Sequence, residues 1–302
     1  LNLLKRCLSS REVFFVSETD SMTLLLNDMT SRLAAAGIET PRLEARLLLG
    51  AACGISADEA VLLRRELTAG ERERLDSMLR ERLAHKPMDK ILGRRGFYKY
   101  EFNVSEKVLS PRPDTEIIVE QALKLLDGAI TQNIADFGTG SGCILLSLLA
   151  ENKLWHGQGI DRSAEALQIA AQNARELGLE AQVSWLNASW FDDNLASALR
   201  LPLDMLVSNP PYIPVADIPA LAPEVKDYDP LSALDGGADG LDHYRQIASL
   251  APALLKTGGW VVLEVGVGQA EDVSRIFAGS GLQPFKIVPD LAGIDRCVIL
   301  KK

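Results

Sequence analysis

Histidine is scarce in this chain, cysteine is unpatterned and positive charge is in the minority, and each shortage removes a class of function. The three histidines, His85, His156 and His243, have no cysteine or acidic partner at metal-ligand spacing, so metal-dependent chemistry is not expected. The four cysteines, Cys7, Cys53, Cys143 and Cys297, form no CxxC pair, which argues against a disulfide framework or a zinc site and points to a reducing, cytoplasmic setting. Lys and Arg number 32 against 41 Asp and Glu, a net charge of −9, so a broad phosphate-tracking surface is not expected. Every long apolar run is broken by Lys, Arg, Asp or Glu before it could span a bilayer. Apolar residues themselves are plentiful: at 47% of 302 residues they suffice for one large α/β domain and a small one.

The chain divides into four stretches. Residues 1–21 mix Lys5, Arg6 and Arg11 with apolar residues, but lack the apolar centre of a secretory signal and carry Glu12 and Glu18; a poorly ordered extension is expected, with the folded part starting at Met22. Residues 22–90 read as a small bundle of about four helices. Thr40 is placed to cap a helix with Pro41 in its first turn and Gly54 at its end, and Ser56/Glu59 and Thr68/Glu71 are spaced as capping boxes. Residues 91–110 alternate aromatic and polar side chains, as a β-hairpin linker would. From 111 to 302, after a helix that Asp114 is placed to cap, seven short apolar strands appear: "NIADFG", "HGQGID", "QVSWLN", "LDMLVS", "WVVLEV", "PFKIVP" and "RCVILK". Helical patterns follow the first, second, third and fifth, which predicts an α/β fold with a largely parallel, doubly covered sheet. The last two strands are too close for a crossover and are expected as an antiparallel pair at the sheet edge.

The first of these strands runs into "DFGTGSGC", with Gly138, Gly140 and Gly142 leading into a helix, where a ligand can approach bare backbone and free N–H groups. A tight turn without ligand would look similar. The second strand, however, ends in Asp161, roughly twenty residues on, where a carboxylate can accept hydrogen bonds from both hydroxyls of a ribose. Between a dinucleotide and S-adenosylmethionine the residues favour the latter. Cys143 stands where a dinucleotide loop has its third glycine, and Asp136 would repel a pyrophosphate but suits the ammonium of a methionine tail. Asn187 and Trp190 close the third strand at the edge where an adenine base would lie; Trp190 is placed to pack on the base or to serve as core.

The fourth strand runs into "NPPY", Asn209 to Tyr212, at the edge where open α/β sheets bind ligands. Each proline extends the preceding residue and removes a donor, leaving a rigid patch of acceptors. The side-chain oxygen of Asn209 and the carbonyl of Pro210 can accept both hydrogens of a planar –NH2 group, with Tyr212 stacked on its plane. The nitrogen lone pair would then face a methyl donor, and alignment alone supplies roughly 7–11 kcal/mol, without a strong acid or base. A Pro-Pro turn with Asn209 bonded to its own backbone is the structural alternative.

"NPPY" after "DFGTGSG" resembles the class I methyltransferases that modify planar amino groups. With "PRPDTE", "NPPYIP", the "LAPEVKDYDPLSALDGGADGLDHYRQI" that follows and "LEVGVGQ", the chain from about Met22 onward resembles the release-factor glutamine methyltransferase family, also called PrmC or HemK. The resemblance implies a Rossmann-like methyltransferase domain that methylates the glutamine amide of the Gly-Gly-Gln motif in peptide-chain release factors, with the helical domain helping to hold the factor. It places S-adenosylmethionine on Asp136, Phe137, Gly138, Thr139, Gly140, Ser141, Gly142, Asp161, Trp190 and Asn209, and the glutamine on Asn209, Pro210, Pro211 and Tyr212, the first two and Tyr212 being the catalytic candidates. Ser189 departs from the acidic residue relatives often carry before the tryptophan, which implies altered adenine contacts. A monomer that does not bind nucleic acid is expected. Asp217, Glu224, Asp227, Asp229, Asp235 and Asp239 form an acidic stretch suited to a basic protein partner, although a solvated loop would look the same. An N6-adenine methyltransferase and a noncatalytic sensor of an adenosyl ligand are the competing readings.

Overall fold

The computed structural model describes residues 18–302, so the expectation for residues 1–17 lies outside the described residues. The chain forms two compact units, which divide between Leu92 and Gly93. In the first, α1 (Glu18–Ala35), α2 (Pro41–Cys53), α3 (Ala57–Val61), α4 (Ala69–Leu83) and α5 (Met88–Leu92) surround a core that includes Met22, Met29, Leu33, Leu48, Leu49, Leu75 and Leu79. Their i, i+4 and i, i+7 spacings set one apolar stripe on each long helix. α1 thus begins before the Met22 start expected from sequence. Both capping boxes form, Ser56 with Glu59 and Thr68 with Glu71, each satisfying a backbone donor at either end of the exchange. Thr40 does not cap α2; its hydroxyl faces Glu44 instead, and Pro41 alone eases the start, since its first N–H would have had no partner. A nearly buried ion pair, Arg82 Nε to Glu44 at 2.6 Å, ties α4 to α2.

The second unit opens with an antiparallel hairpin, β1 (Arg94–Phe97) and β2 (Tyr100–Asn103), turned by Tyr98 at φ +55°. Phe97 and Phe102 meet edge to face at 6.1 Å and join the core on one face of the main sheet, so the hairpin belongs with the second unit. α6 (Glu116–Leu125) follows. Asp114 makes no side-chain bond to its first turn; a 3-10 turn, Pro113–Thr115, leads in, and Asp114 lies 3.8 Å from Arg296.

The main sheet comprises β3 (Asn133–Phe137), β4 (His156–Asp161), β5 (Val183–Asn187), β6 (Leu203–Ser208), β7 (Leu255–Glu264), β8 (Gln283–Pro289) and β9 (Asp295–Lys301). Its order is β5-β4-β3-β6-β7-β9-β8, parallel except for β9, which is antiparallel to both its neighbours. Alternation along the strands feeds two cores: Leu206, Val261 and Leu263 point to one face, Met205, Val207 and Val262 to the other. α7 (Cys143–Glu151), α8 (Ala164–Glu176), α9 (Leu195–Ala198), α10 (Pro223–Lys226), α11 (Asp242–Leu254) and α12 (Ala270–Gly279) connect the strands. The expected helix after β5 shrinks to the single turn of α9. The crossover after β6 instead contains the 13-residue α11, whose Tyr244, Ile247, Ala248, Ala251 and Leu254 are buried at helical spacing. Among the described residues no helix is long and apolar enough to cross a membrane.

The strand order reverses direction at β3, between β4 and β6, and such a switch point opens a crevice at the carboxyl ends of the strands. Register decides what meets there. Phe137 pairs with both Ile160 and Ser208, and Ser208 with Leu263, so Gly138, Asp161, Asn209 and Glu264 leave adjacent strands side by side.

Candidate active site

The glycine loop is held from three directions. Gly138 N and Thr139 N both donate to the Ile160 carbonyl, at 2.9 and 3.0 Å. Gly140 N donates to Asp161 Oδ2 at 2.9 Å, while Asp161 Oδ1 accepts from Ser163 N at 2.9 Å. Beneath the loop, Asn173 Nδ2 donates to the Ser141 carbonyl and its Oδ1 accepts from Asn103, which fastens the hairpin to the loop through α8. Gly138 and Gly140 sit at φ +75° and +55°, a region costly for any residue with a Cβ. A Cβ on Gly138 would stand 3.2 Å from the Trp190 ring, whereas one on Gly140 would meet nothing within 4 Å. Gly140 is therefore the bare backbone facing the crevice.

Two carboxylates serve this loop. Asp136 is fully buried at the end of β3; its Oδ2 accepts from the Thr139 hydroxyl at 2.7 Å and its Oδ1 has no hydrogen-bond partner. Burial pushes its carboxyl up to about 7, the Thr139 bond opposing the shift and the Asp161 charge adding to it. Asp161 is also raised by burial, with the Ser163 and Gly140 N–H groups pulling it back.

Trp190 is part of the core as well as of the pocket wall. It stacks on Phe137, centroids 6.1 Å apart and planes 4° from parallel, and its Nε1 donates to His243 Nδ1 at 3.1 Å. Since an indole N–H can only donate, His243 carries its proton on Nε2 and donates it to the Asp235 carbonyl, 3.0 Å away. Burial holds this imidazole below the usual histidine range. The more open aromatic is its neighbour Phe191, half exposed at the pocket mouth. Asn187 braces the turn after β4, donating to the carbonyls of Asp161 and Arg162 at 3.0 Å each. Ser189 caps a local turn, its Oγ accepting from Phe191 N.

On the opposite wall, Asn209 lines the pocket and its Nδ2 donates to the Thr115 hydroxyl at 3.2 Å, not to its own backbone. Pro211 lines the pocket too; Pro210 is buried behind it. Tyr212 is not among the lining residues: its hydroxyl donates to Glu264 Oε1 at 3.3 Å, and burial together with that charge pushes the phenol up to about 12. Its carbonyl accepts from Gln269 Nε2 at 3.0 Å, while Gln269 Oε1 accepts from Gly266 N, so the segment after β7 clamps the Pro-Pro turn in place.

The structure thus brings Gly138, Thr139, Gly140, Ser141, Asp161, Trp190, Asn209 and Pro211 onto one pocket, and sets Asp136, Phe137, Gly142, Pro210 and Tyr212 in the layer behind it. Sequence reasoning missed Thr115, Glu264, Gln269, His243 and Phe191. Glu264 carried a signal: a lone charge inside the apolar run "WVVLEV". The acidic stretch is partly spent internally, since Asp239 pairs with Arg245 and Asp235 accepts from Gly237 N.

An adenosyl cofactor with a cationic amino-acid tail fits these residues. Asp136 offers a buried, unpartnered carboxylate oxygen, Gly140 an open approach to backbone, and Asp161 a carboxylate at the end of β4.

Comparison with known proteins agrees over nearly the whole chain. The PrmC N-terminal domain family matches residues 25–93 and the methyltransferase small domain family residues 115–218. A release factor glutamine methyltransferase of Rhodospirillum rubrum is 46% identical over 280 residues, covering 92% of this chain and 84% of that one. Its counterpart in Caulobacter vibrioides is 41% identical, covering 89% and 92%. Among solved structures, the hMettl16 catalytic domain in complex with MAT2A 3′UTR hairpin 6 superposes with a TM-score of 0.53 at 13% identity, covering 66% of this chain and 74% of that one; this likeness shows the fold alone.

Proposed function

The chain belongs to the release factor glutamine methyltransferase family, and from that premise we propose that it transfers a methyl group from S-adenosylmethionine to the side-chain amide nitrogen of the glutamine in the Gly-Gly-Gln motif of release factors. The observation that carries the site assignment is the register of β3 with β6, which sets Asn209 beside the glycine loop.

In this reading Gly138 to Gly142, Asp161 and Trp190 hold the cofactor, with Asp161 accepting from the ribose hydroxyls and Asp136, in the layer behind the loop, favouring the ammonium by its charge. When bound, the cofactor supplies an electrophilic methyl carbon. Asn209 Oδ1 and the Pro210 carbonyl accept the two amide hydrogens of the glutamine, which fixes the plane of its nitrogen and turns the lone pair toward the donor. The prolines keep that acceptor pair rigid, and Tyr212, anchored on Glu264, buttresses the turn. The helical unit contributes to holding the factor, and the exposed Asp217 and Asp227 favour a basic protein over a phosphate polymer. We place the protein in the cytoplasm as a monomer without direct nucleic-acid binding; the free thiols of Cys53, Cys143 and Cys297 fit a reducing compartment.

The test is to incubate the protein with methyl-labelled S-adenosylmethionine and three acceptors: a purified release factor, the same factor with its Gly-Gly-Gln glutamine replaced, and nucleic acid. Label is expected on the first alone. Labelled DNA or RNA, with equal labelling of both factors, would overturn the assignment in favour of an N6-adenine enzyme.

A further inference from the structure

Trp190 is held at both of its polar groups by one helix. Its indole Nε1 donates to His243 Nδ1 at 3.1 Å, and one turn further along α11 Gln246 Nε2 donates to the Trp190 carbonyl at 3.0 Å. The imidazole also meets two rings of the pocket wall edge-on, Trp190 with centroids 5.4 Å apart and Phe191 with centroids 5.5 Å apart. His243 has a second commitment: its Nε2 donates to the Asp235 carbonyl at 3.0 Å. Asp235 belongs to a short ladder that continues the Asn-Pro-Pro-Tyr segment. Residues 213–215 run parallel to 234–237, with Ile213 N donating to the Leu234 carbonyl at 3.0 Å, Gly236 N to the Ile213 carbonyl at 2.9 Å and Val215 N to the Gly237 carbonyl at 2.9 Å.

The two commitments cannot be exchanged. An indole N–H only donates and a backbone carbonyl only accepts, so a neutral imidazole protonated on Nε2 is the form of histidine that satisfies both. A side chain with one of the two capacities would leave either the indole or the ladder without its partner. We propose that His243 is a positioning residue for the reaction, a joint that seats the Trp190 ring on the cofactor side of the pocket through Nδ1 and steadies the ladder behind the acceptor turn through Nε2. Its influence on transfer runs through Trp190 and Asp235. The inference rests on the cofactor and release-factor sites given under the proposed function.

Two amides separate the arms of the joint, because Asn can put its side-chain oxygen where Nδ1 stands and Gln its amide nitrogen where Nε2 stands. His243→Asn keeps the acceptor for Trp190 and loses the donor to Asp235; His243→Gln does the reverse. The experiment measures cofactor affinity by calorimetry and steady-state methyl transfer to a purified release factor. His243→Gln is expected to weaken S-adenosylmethionine binding about fivefold, the worth of one net hydrogen bond, and to leave KM for the factor within about twofold. His243→Asn is expected to raise KM for the factor about fivefold, with kcat and cofactor affinity within about twofold. In the ligand-free protein, hydrogen exchange of the Val215 and Gly236 amides should quicken in His243→Asn and not in His243→Gln, while the Trp190 indole N–H resonance should move in His243→Gln and stay in His243→Asn. Amide variants that shift both ligands' constants in parallel, or neither, would overturn the joint, as would exchange and indole signals that fail to follow the two arms. A wild-type protein that labels no release factor would remove the proposed function and with it the role in transfer, whereas the ligand-free signals report the joint by themselves.

Discussion

The two walls of the pocket handle backbone freedom in opposite ways. After β3 the chain uses residues that can go anywhere: Gly138, Gly140 and Gly142 take φ of +75°, +55° and +81°, and side chains from neighbouring elements hold them there. After β6 it uses residues that can go almost nowhere, Pro210 and Pro211, and the clamps from Glu264 and Gln269 only finish what the rings began. The difference matches what the proposed function asks of each wall. A cofactor wall must let a ligand lie against backbone N–H groups, so it needs surface without side chains; an acceptor wall must hold two oxygens at fixed separation, so it needs stiffness. Substitutions on the first wall should therefore show in cofactor affinity, and on the second in the rate of transfer.

The sharpest break would come at Asn209. Asn209→Ala is expected to slow transfer roughly 10²–10³-fold, the usual cost of a lost preorganised polar contact, with cofactor affinity nearly intact in calorimetry. On the other wall, Asp161→Ala removes both the proposed acceptor for ribose and the anchor of Gly140 N, and should weaken cofactor binding by roughly 1.5–3 kcal/mol while turnover at saturating cofactor largely recovers. Gly140→Ala tests the bare backbone: nothing in the protein crowds the new methyl, so the cost is the left-handed φ, about 1–2 kcal/mol, plus any contact with ligand. Its effect should fall on cofactor affinity with the transfer step spared; a purely kinetic defect would erase the distinction between the walls.

The smallest effect is a pH dependence of cofactor binding. In the ligand-free protein the Asp136 carboxyl is raised from 3.8 to about 7, so the folded state holds a proton there that the unfolded chain has already released. That contribution to stability is complete below 3.8 and is lost as pH rises through about 7; thermal stability should fall across that interval, and Asp136→Asn should flatten the fall. A cationic tail near the carboxylate favours the charged form, so binding should release a proton near neutrality and tighten by up to about tenfold between pH 6 and 8. Calorimetry in buffers of different ionisation enthalpy would detect the proton.

Whatever depended on short-range pattern could be read without coordinates. Seven apolar strands, two capping boxes, the glycine loop and the Pro-Pro turn each announce themselves within a few residues. Asn209 and Gly138 could be placed on one edge because each ends a strand, but their adjacency depends on the pairing of Phe137 with Ser208, which no local pattern encodes. α11 was overlooked because a loop of irregular turns precedes it and Pro252 interrupts its last turn; its stripe becomes evident only when Tyr244 is known to be buried. Asp114 and Thr40 were misjudged as caps for one reason: a residue with capping chemistry has other partners within reach, Arg296 for the first and Glu44 for the second. Tyr212 shows the limit most plainly. Its ring was expected over a substrate, and its hydroxyl is taken by a carboxylate from a strand 52 positions away.

The place of β9 in the sheet bears on how the protein comes into being. Residues 295–301 sit between β7 and β8, and they are made after every other strand. While they are still inside a ribosome, β7 has one pairing edge open, though Val261, Val262 and Leu263 are among the most buried residues of the finished molecule. A nascent chain at that stage presents an apolar, unpaired strand edge, the kind of surface that seeks another chain. Completion of the sheet therefore waits for the last of its seven strands, and a chain that stops short of residue 295 is expected to aggregate instead of forming a slightly weaker enzyme, which the solubility of such a truncation checks.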